Sequence, residues 1–337
     1  MNNNATDEQS GLTDLFSRTI SYLRVSVTDQ CNLRCIYCTP KAIDEKLACG
    51  DLLSYEELLR IIRIAVSMGI KKVRLTGGEP LVRRDIVSFI RNLTAIPGLD
   101  DIRLTTNGIL LPQLAGQLYE AGIRKLNISL DTLRPERYLQ ITGKDYFSRV
   151  WQGIGSAREI GFSPIKINVV LLRGINDDEL LDFARLSMTE NLQIRFIEFM
   201  PMGDAVIQAK ERYFSSEEMI ARIETLGPLH RVEARNMDGP ARIYRFEGAS
   251  GSLGFISPIS HQFCDRCNRL RLTSEGRLRS CLLSDQETDI LKILRSSGTD
   301  EEIREAIVET ILNKPKGHVL LEKDGANCHG RMSRIGG

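Results

Sequence analysis

A chain of 337 residues can hold one large α/β domain with an appendage, or two modest domains, and either can bury a full core. Its 45 lysines and arginines face 44 aspartates and glutamates, which excludes a global field for nucleic acid or an anionic membrane, so any basic site must be local. No uncharged run approaches the roughly 18 residues of a membrane helix, the polar first ten residues lack an apolar signal core, and the cysteines are grouped in clusters of three; a cytoplasmic protein is expected.

Residues 1–13, rich in Asn, Asp and Ser, are expected to form a mobile tail. Strand patterns follow at 21–28, 71–76, 101–105, 125–131, 165–172 and 192–199, and a helical pattern follows each of the first five. The first helix is well marked. Ser54-x-x-Glu57 forms a capping box, Leu58, Ile61, Ile62 and Ala65 recur at helical spacing, and Gly69 stops it. Others are expected at about 85–94, 112–121, 147–160 and 177–187. Such alternation implies a parallel sheet with right-handed crossovers. Six strands are two short of a closed eight-unit barrel, so the expected fold is α/β, an open, partial (βα)6 TIM-type barrel over residues 14–200.

The strand faces carry more information than the count. Leu23, Val25, Val27, Val73, Leu75, Leu126, Ile128, Ile167 and Val169 share the parity expected to face the helices. The opposite parity reads Arg24, Lys72, Arg74, Arg103, Thr105, Asn127, Ser129, Asp131, Lys166 and Asn168, with Ser26, Thr28 and Thr76. A one-sided sheet open to water would alternate in the same way. Crossover helices normally cover both faces, which favours a polar, net basic channel holding an anion such as a phosphorylated nucleotide through charge-assisted hydrogen bonds.

Motifs collect at the C-terminal strand ends, where barrel enzymes place their chemistry. After strand one comes Cys31-Asn32-Leu33-Arg34-Cys35-Ile36-Tyr37-Cys38, spaced C-x3-C-x2-C. Three thiolates on one short loop can take three corners of an iron-sulfur cube and leave one iron open to a small chelating molecule. Structural zinc competes, but it wants four protein ligands, and the only nearby spare thiol is Cys49. Gly77-Gly78-Glu79-Pro80 follows strand two, Thr105-Thr106-Asn107-Gly108 ends strand three, Ser129-Leu130-Asp131 ends strand four and Glu198-Phe199-Met200 ends strand six. Each alone reads as a turn, a cap or packing; their shared location is the signal.

Beyond strand six, Ser215-x-x-Glu218 opens a helix to about Leu226, short strands are expected near 242–246 and 253–256, and Cys264-Asp265-Arg266-Cys267 precedes Cys281. A zinc ribbon shares the C-x2-C half-site, yet a second knuckle is missing: His261 is close and Cys328 distant. Between these cysteines, Arg269-Leu270-Arg271 on a strand aims two guanidiniums at one side, as a binding site or as a solvated edge.

The first cysteine loop, with Tyr37 before its last cysteine, resembles the radical S-adenosylmethionine superfamily. There the open iron binds the amino and carboxylate groups of S-adenosylmethionine, whose reductive cleavage gives a 5′-deoxyadenosyl radical. Both cysteine sets, the GGEP, TTNG and SLD segments, and the final Gly336-Gly337 together resemble the molybdenum cofactor biosynthesis protein A family of GTP 3′,8-cyclases, from about Leu15 to Gly337. The resemblance implies a C-terminal region, 201–337, that closes the open side of the barrel. It implies two 4Fe-4S clusters, the first on Cys31, Cys35 and Cys38 and the second on Cys264, Cys267 and Cys281, with S-adenosylmethionine at one open iron and the guanine of GTP at the other. Tyr37, Gly78, Ser129 and Met200 are implied contacts of S-adenosylmethionine. Arg24, Arg74, Thr105, Lys166, Arg269, Leu270 and Arg271 are implied contacts of GTP, and Gly336 and Gly337 an implied tail that positions it. The expected reaction has the 5′-deoxyadenosyl radical remove the hydrogen at ribose C3′, the C3′ radical then adds to C8, and reduction gives 3′,8-cyclo-7,8-dihydro-GTP. Expected partners are GTP, a one-electron donor, the cyclic pyranopterin monophosphate synthase that receives the product, and a second copy in a homodimer; neither nucleic acid nor membrane is expected. A peptide-modifying radical enzyme and a non-enzymatic redox or zinc-binding module are the alternatives.

Overall fold

The computed structural model describes residues 11–38, 47–200, 202, 209–233, 239–318 and 332–336. Gly337, Cys328 and residues 1–10 of the expected tail lie outside the described residues. The first two-thirds alternate β1 (Tyr22–Ser26), α1 (Tyr55–Ser67), β2 (Lys72–Thr76), α2 (Ile86–Thr94), β3 (Asp101–Thr106), α3 (Leu111–Glu120), β4 (Lys125–Ser129), α4 (Pro135–Thr142), α5 (Phe147–Ile160), β5 (Ile165–Leu171), α6 (Leu180–Thr189) and β6 (Gln193–Glu198). Two helices, not one, follow β4. Then come α7 (Ala209–Arg212), α8 (Ser216–Ile223), β7 (Leu229–Val232), β8 (Arg242–Phe246), β9 (Ser252–Ile256), β10 (Arg269–Leu272), β11 (Arg277–Arg279), β12 (Thr288–Asp289), α9 (Ile290–Arg295), α10 (Asp300–Leu312) and α11 (Met332–Ile335).

The twelve strands of the described residues form one sheet in the order β12-β11-β10-β1-β2-β3-β4-β5-β6-β9-β8-β7. The six expected strands run in sequence and in parallel. β10 joins β1 and β9 joins β6, also in parallel, so the C-terminal region lengthens the barrel wall at both ends. Its remaining strands pair antiparallel, and β12 does not meet β7 among the described residues; the partial barrel stays open. Among the described residues no helix is long and apolar enough to cross a membrane.

Strand parity decides what is buried where. Leu23, Val25, Val73, Leu75, Leu126, Ile128, Ile167 and Val169 lie in one continuous apolar core with the inner faces of α1 to α6. Burying each such side chain is worth about 1.5–3 kcal/mol. α1 begins as its sequence demands: the Ser54 hydroxyl accepts the Glu57 amide at 3.1 Å and Glu57 accepts the Ser54 amide at 2.7 Å. The other face buries charge instead. Asp101, at the start of β3, collects Arg103 at 2.6 Å, Lys125 at 3.2 Å and Lys72 at 3.9 Å, so Arg103 is spent on an internal pair and not on a ligand.

Candidate active site

The loop after β1 carries the first three cysteines and is held by α4. The carbonyls of Ile141 and Thr142, at the end of that helix, accept the Ile36 and Arg34 amides at 3.0 and 2.9 Å, and the Cys38 amide closes on the Cys35 carbonyl at 3.0 Å. The Tyr37 hydroxyl donates to Asp131 at 2.5 Å, and the second Asp131 oxygen accepts the Val170 amide at 2.8 Å. Burial pushes the Asp131 carboxyl up to about 6 against those bonds. Burial, followed by the charges of Cys38, Asp131 and Cys31, pushes the Cys35 thiol well above its ordinary value. A metal ion reverses such a load, because it deprotonates a coordinating thiol outright. Among the described residues no three His, Cys, Asp or Glu side chains gather tightly enough to hold a single ion. An all-thiol triad of this kind fits an iron-sulfur cluster.

Glu79 ties this loop to its neighbours. Its buried carboxylate accepts the Thr106 hydroxyl at 2.7 Å and the Asn107 and Leu81 amides at 2.6 and 3.1 Å, while burial lifts it to about 7. Asn107 in turn donates to Asn32, inside the cysteine loop, at 2.7 Å. A Cβ on Gly78 would lie 2.2 Å from the Gln30 carbonyl oxygen, so only glycine lets this backbone lie against the residues that lead into Cys31. The Gly78 amide is donated to Thr28 at 2.7 Å, which leaves any contact with a bound ammonium to its carbonyl. Ser129 ends β4 on the same rim, and Met200 follows β6.

Below the rim lies a cavity of about 170 Å³. Arg24, Arg74, Thr105, Arg269 and Arg271 line it, and so do all three cysteines of the second set, Cys264, Cys267 and Cys281. Arg74 donates to Tyr22 and, at 3.2 Å, to Thr105. Burial together with Arg24 and Arg269 drives Arg271 well below its usual value, and burial with Arg74 and Arg269 brings Arg24 to about 10 although Tyr22 opposes. Guanidiniums that hold one another down in this way would be relieved by an anion among them. The buried amide oxygens of Asn127 and Asn168 point here without a hydrogen-bond partner among the described residues.

At Cys267 the second triad has the opposite electrostatics to the first, although burial raises the neighbouring Cys264 thiol. Arg269 and Lys314 outweigh burial and bring Cys267 down to about 6. Arg18 braces the same turn, donating to the carbonyls of Cys264 at 2.7 Å and Pro315 at 2.7 Å while Asp14 holds it at 2.5 Å. This positive setting suits the negative charge of a thiolate-ligated cluster.

The last described residues reach the same place. Ile335 is buried against Met200, Met202, Leu282, Leu283 and Met332, and the Gly336 carbonyl accepts Arg271 at 2.7 Å. Gly336 has φ +77, and a Cβ there would fall 2.1 Å from the Thr76 hydroxyl oxygen.

Two expected positions differ from the reading of the sequence. Leu270 points into the apolar core beside Leu23, because it has the opposite parity to Arg269 and Arg271; only its backbone is left for a ligand. Lys166 is buried on the channel face of β5 but stands outside the cavity wall. Conversely, Tyr22 and Arg195 line the cavity without having been singled out, although residues 22 and 24, and 193 and 195, share the inward parity. Burial raises the Tyr22 phenol, yet Arg74, Arg24 and Lys72 outweigh it and bring the group to about 7. A phenolate cancels one cation, so affinity for a polyanion should fall as pH rises through about 7, and Tyr22→Phe should remove that step. Equilibrium binding of GTP by both proteins across pH checks this; parallel profiles would refute it.

The Radical SAM superfamily profile matches residues 25–187, and the Molybdenum Cofactor Synthesis C profile matches residues 192–320. The GTP 3′,8-cyclase of Thermodesulfovibrio yellowstonii is 50% identical over 306 residues, covering 90% of this chain and 94% of the relative. That of Moorella thermoacetica is 47% identical, covering 96% and 99%. Among solved structures, Streptococcus suis SuiB bound to its precursor peptide SuiA superposes with a TM-score of 0.57 over 91% of this chain and 74% of the other; at 16% identity it speaks to the fold alone. The chain therefore belongs to the GTP 3′,8-cyclase family of the radical S-adenosylmethionine superfamily.

Proposed function

We infer that the protein is a GTP 3′,8-cyclase that carries out the first step of molybdenum cofactor biosynthesis, converting GTP to 3′,8-cyclo-7,8-dihydro-GTP. The observation that carries this reading is a single cavity walled by buried guanidiniums and by the second thiol triad. The guanidiniums suit a triphosphate, and the triad would hold an iron-sulfur cluster that would supply an iron for the guanine. The chemistry that the first cluster and S-adenosylmethionine supply when bound is a 5′-deoxyadenosyl radical, which takes hydrogen from ribose C3′.

The chain's own residues bind, orient and shield. Cys31, Cys35 and Cys38 would hold the first cluster, and Tyr37, Gly78, Ser129 and Met200 would surround the methionine derivative. Glu79 fixes their loops against each other through its three accepted hydrogen bonds. Arg24, Arg74, Arg269 and Arg271 hold the phosphates, Thr105 orients Arg74 through its hydroxyl, and Lys166 adds charge behind the wall. Cys264, Cys267 and Cys281 would hold the second cluster. One electron is needed for each cleavage and another, with a proton, to reduce the radical left when C3′ joins C8, so a one-electron donor is required, and six free thiols among the described residues suit a reducing, cytosolic setting. The pyranopterin synthase would consume the product.

Anaerobic reconstitution followed by measurement of 5′-deoxyadenosine should show formation that depends on GTP. Each charge-assisted phosphate contact contributes about 1.5–3 kcal/mol, so Arg269→Ala should weaken GTP binding by about ten-fold or more while guanosine binding barely changes. Consumption of a peptide with GTP ignored, or equal affinity for GTP and guanosine, would sink the reading.

A further inference from the structure

At about 170 Å³ the cationic cavity is smaller than the roughly 300–1,000 Å³ of ordinary small-molecule sites. Beside it lies a second chamber of about 560 Å³, and the two share Tyr22, Lys72, Phe263, Cys267 and Arg269 in their walls, together with Gly239 and Pro240. One side of the outer chamber comes from β1, β2 and the start of β10. The facing side comes from Arg231 and Val232 of β7 and Arg242 and Ile243 of β8. These strands stand toward opposite ends of the sheet order, so the chamber spans the seam that the open barrel leaves.

Position along the strands matters as well. Tyr22 and Lys72 are the first residues of their strands, which places the neck at the N-terminal rim of the barrel. The C-terminal rim is already occupied by the first cysteine loop, the Glu79 network and Gly336 against Thr76. Charge favours the seam too: among the described residues Lys72, Arg231, Arg242, Arg266 and Arg269 line the outer chamber against one carboxylate, Glu233. Arg242 is engaged by Glu217 at 3.4 Å, whereas Arg231 is exposed and the Arg266 side chain is 82% exposed, its 3.6 Å pair with exposed Asp265 holding it only weakly.

We propose that this seam is the port for the nucleoside triphosphate: GTP enters through the outer chamber, drawn by Arg231 and Arg266, and passes the neck at Lys72 and Arg269 with its phosphates trailing, while S-adenosylmethionine uses the opposite rim. The proposal rests on the cyclase reading. Steering by a focused field raises association rates by about 10- to 1,000-fold and is lost in salt. The test is the association rate of radiolabelled GTP, by rapid filtration with the reconstituted full chain, for the wild type and for Arg231→Glu/Arg266→Glu. The double variant changes only exposed side chains, and its iron content verifies the fold. Association of GTP should slow by about ten-fold or more at low ionic strength, the gap should narrow as salt rises, and guanosine should associate equally with both proteins. Equal GTP rates, or equal slowing of guanosine, would overturn the port alone. A wild-type protein that does not bind GTP would remove the cyclase reading and the port with it.

Discussion

Replacing Cys281 with Ala should remove about half of the iron from anaerobically purified protein, from on the order of eight atoms per chain to about four, as loss of one of two four-iron cubes requires. Cys281 follows β11 and lines the cationic cavity with Cys264 and Cys267, whereas the first triad sits on the loop that α4 and the Glu79 network hold. No hydrogen bond of that loop described above runs through Cys281. Binding of S-adenosylmethionine should therefore persist in the variant, while GTP-dependent formation of 5′-deoxyadenosine should collapse. Iron analysis and equilibrium binding of S-adenosylmethionine measure the two arms separately. A wild-type protein with about four irons and one zinc would remove the second cluster. Loss of S-adenosylmethionine binding in Cys281→Ala would show that the two triads do not divide the work in this way.

What the sequence made legible was whatever depends on neighbours along the chain. A period of two is local, so strand parity alone turned Arg24, Arg74, Thr105, Asn127 and Asn168 toward one cavity, where they stand. The capping box of α1 is local too and forms as written. What could not be read depends on partners far away in sequence. α4 is short, begins at Pro135 and is only partly apolar, so its eight residues left no clear period; its role appears only when its last carbonyls meet the cysteine loop about a hundred residues earlier. The short strand around Leu253 was expected as a strand, but nothing in it announces parallel pairing with β6, nor does Arg269-Leu270-Arg271 announce pairing with β1. Arg18 braces the turn of Cys264 from 246 positions away, a contact with no sequence signal. Arg103 carries the same inward parity as Arg74, yet it pairs with Asp101, because a carboxylate two residues back on the same strand face is nearer than any ligand.

Gly336→Ala should leave iron content and S-adenosylmethionine binding unchanged and nearly abolish cyclisation of GTP, with any remaining cofactor cleavage uncoupled from product. Two independent costs fall on this one methyl group. At φ +77 an alanine pays about 1–2 kcal/mol relative to glycine for the left-handed conformation. Its Cβ would also stand 2.1 Å from the Thr76 hydroxyl, which is fixed by donating to the Val25 carbonyl at 3.1 Å. The segment is short: α11 is one turn long, held by Ile335 in the small apolar cluster, by the 3.5 Å pair of Arg334 with Glu275 and by the Ser274 amide, which donates to the Arg334 carbonyl at 3.3 Å. Displacement is the cheaper response, and it withdraws the Gly336 carbonyl from Arg271, so a guanidinium proposed to hold phosphate loses its fixed direction. A misplacement near 1 Å can cost about 100-fold in rate, and the abstraction step is the one that depends on where C3′ lies. The steric half of the argument has its own check. Gly336→Ala/Thr76→Ala removes the hydroxyl that the new methyl would strike, so it should recover part of the lost turnover, whereas Thr76→Ala alone should change turnover far less than Gly336→Ala does. Normal coupling of S-adenosylmethionine cleavage to product in Gly336→Ala would show that the close fit at Thr76 has no bearing on catalysis.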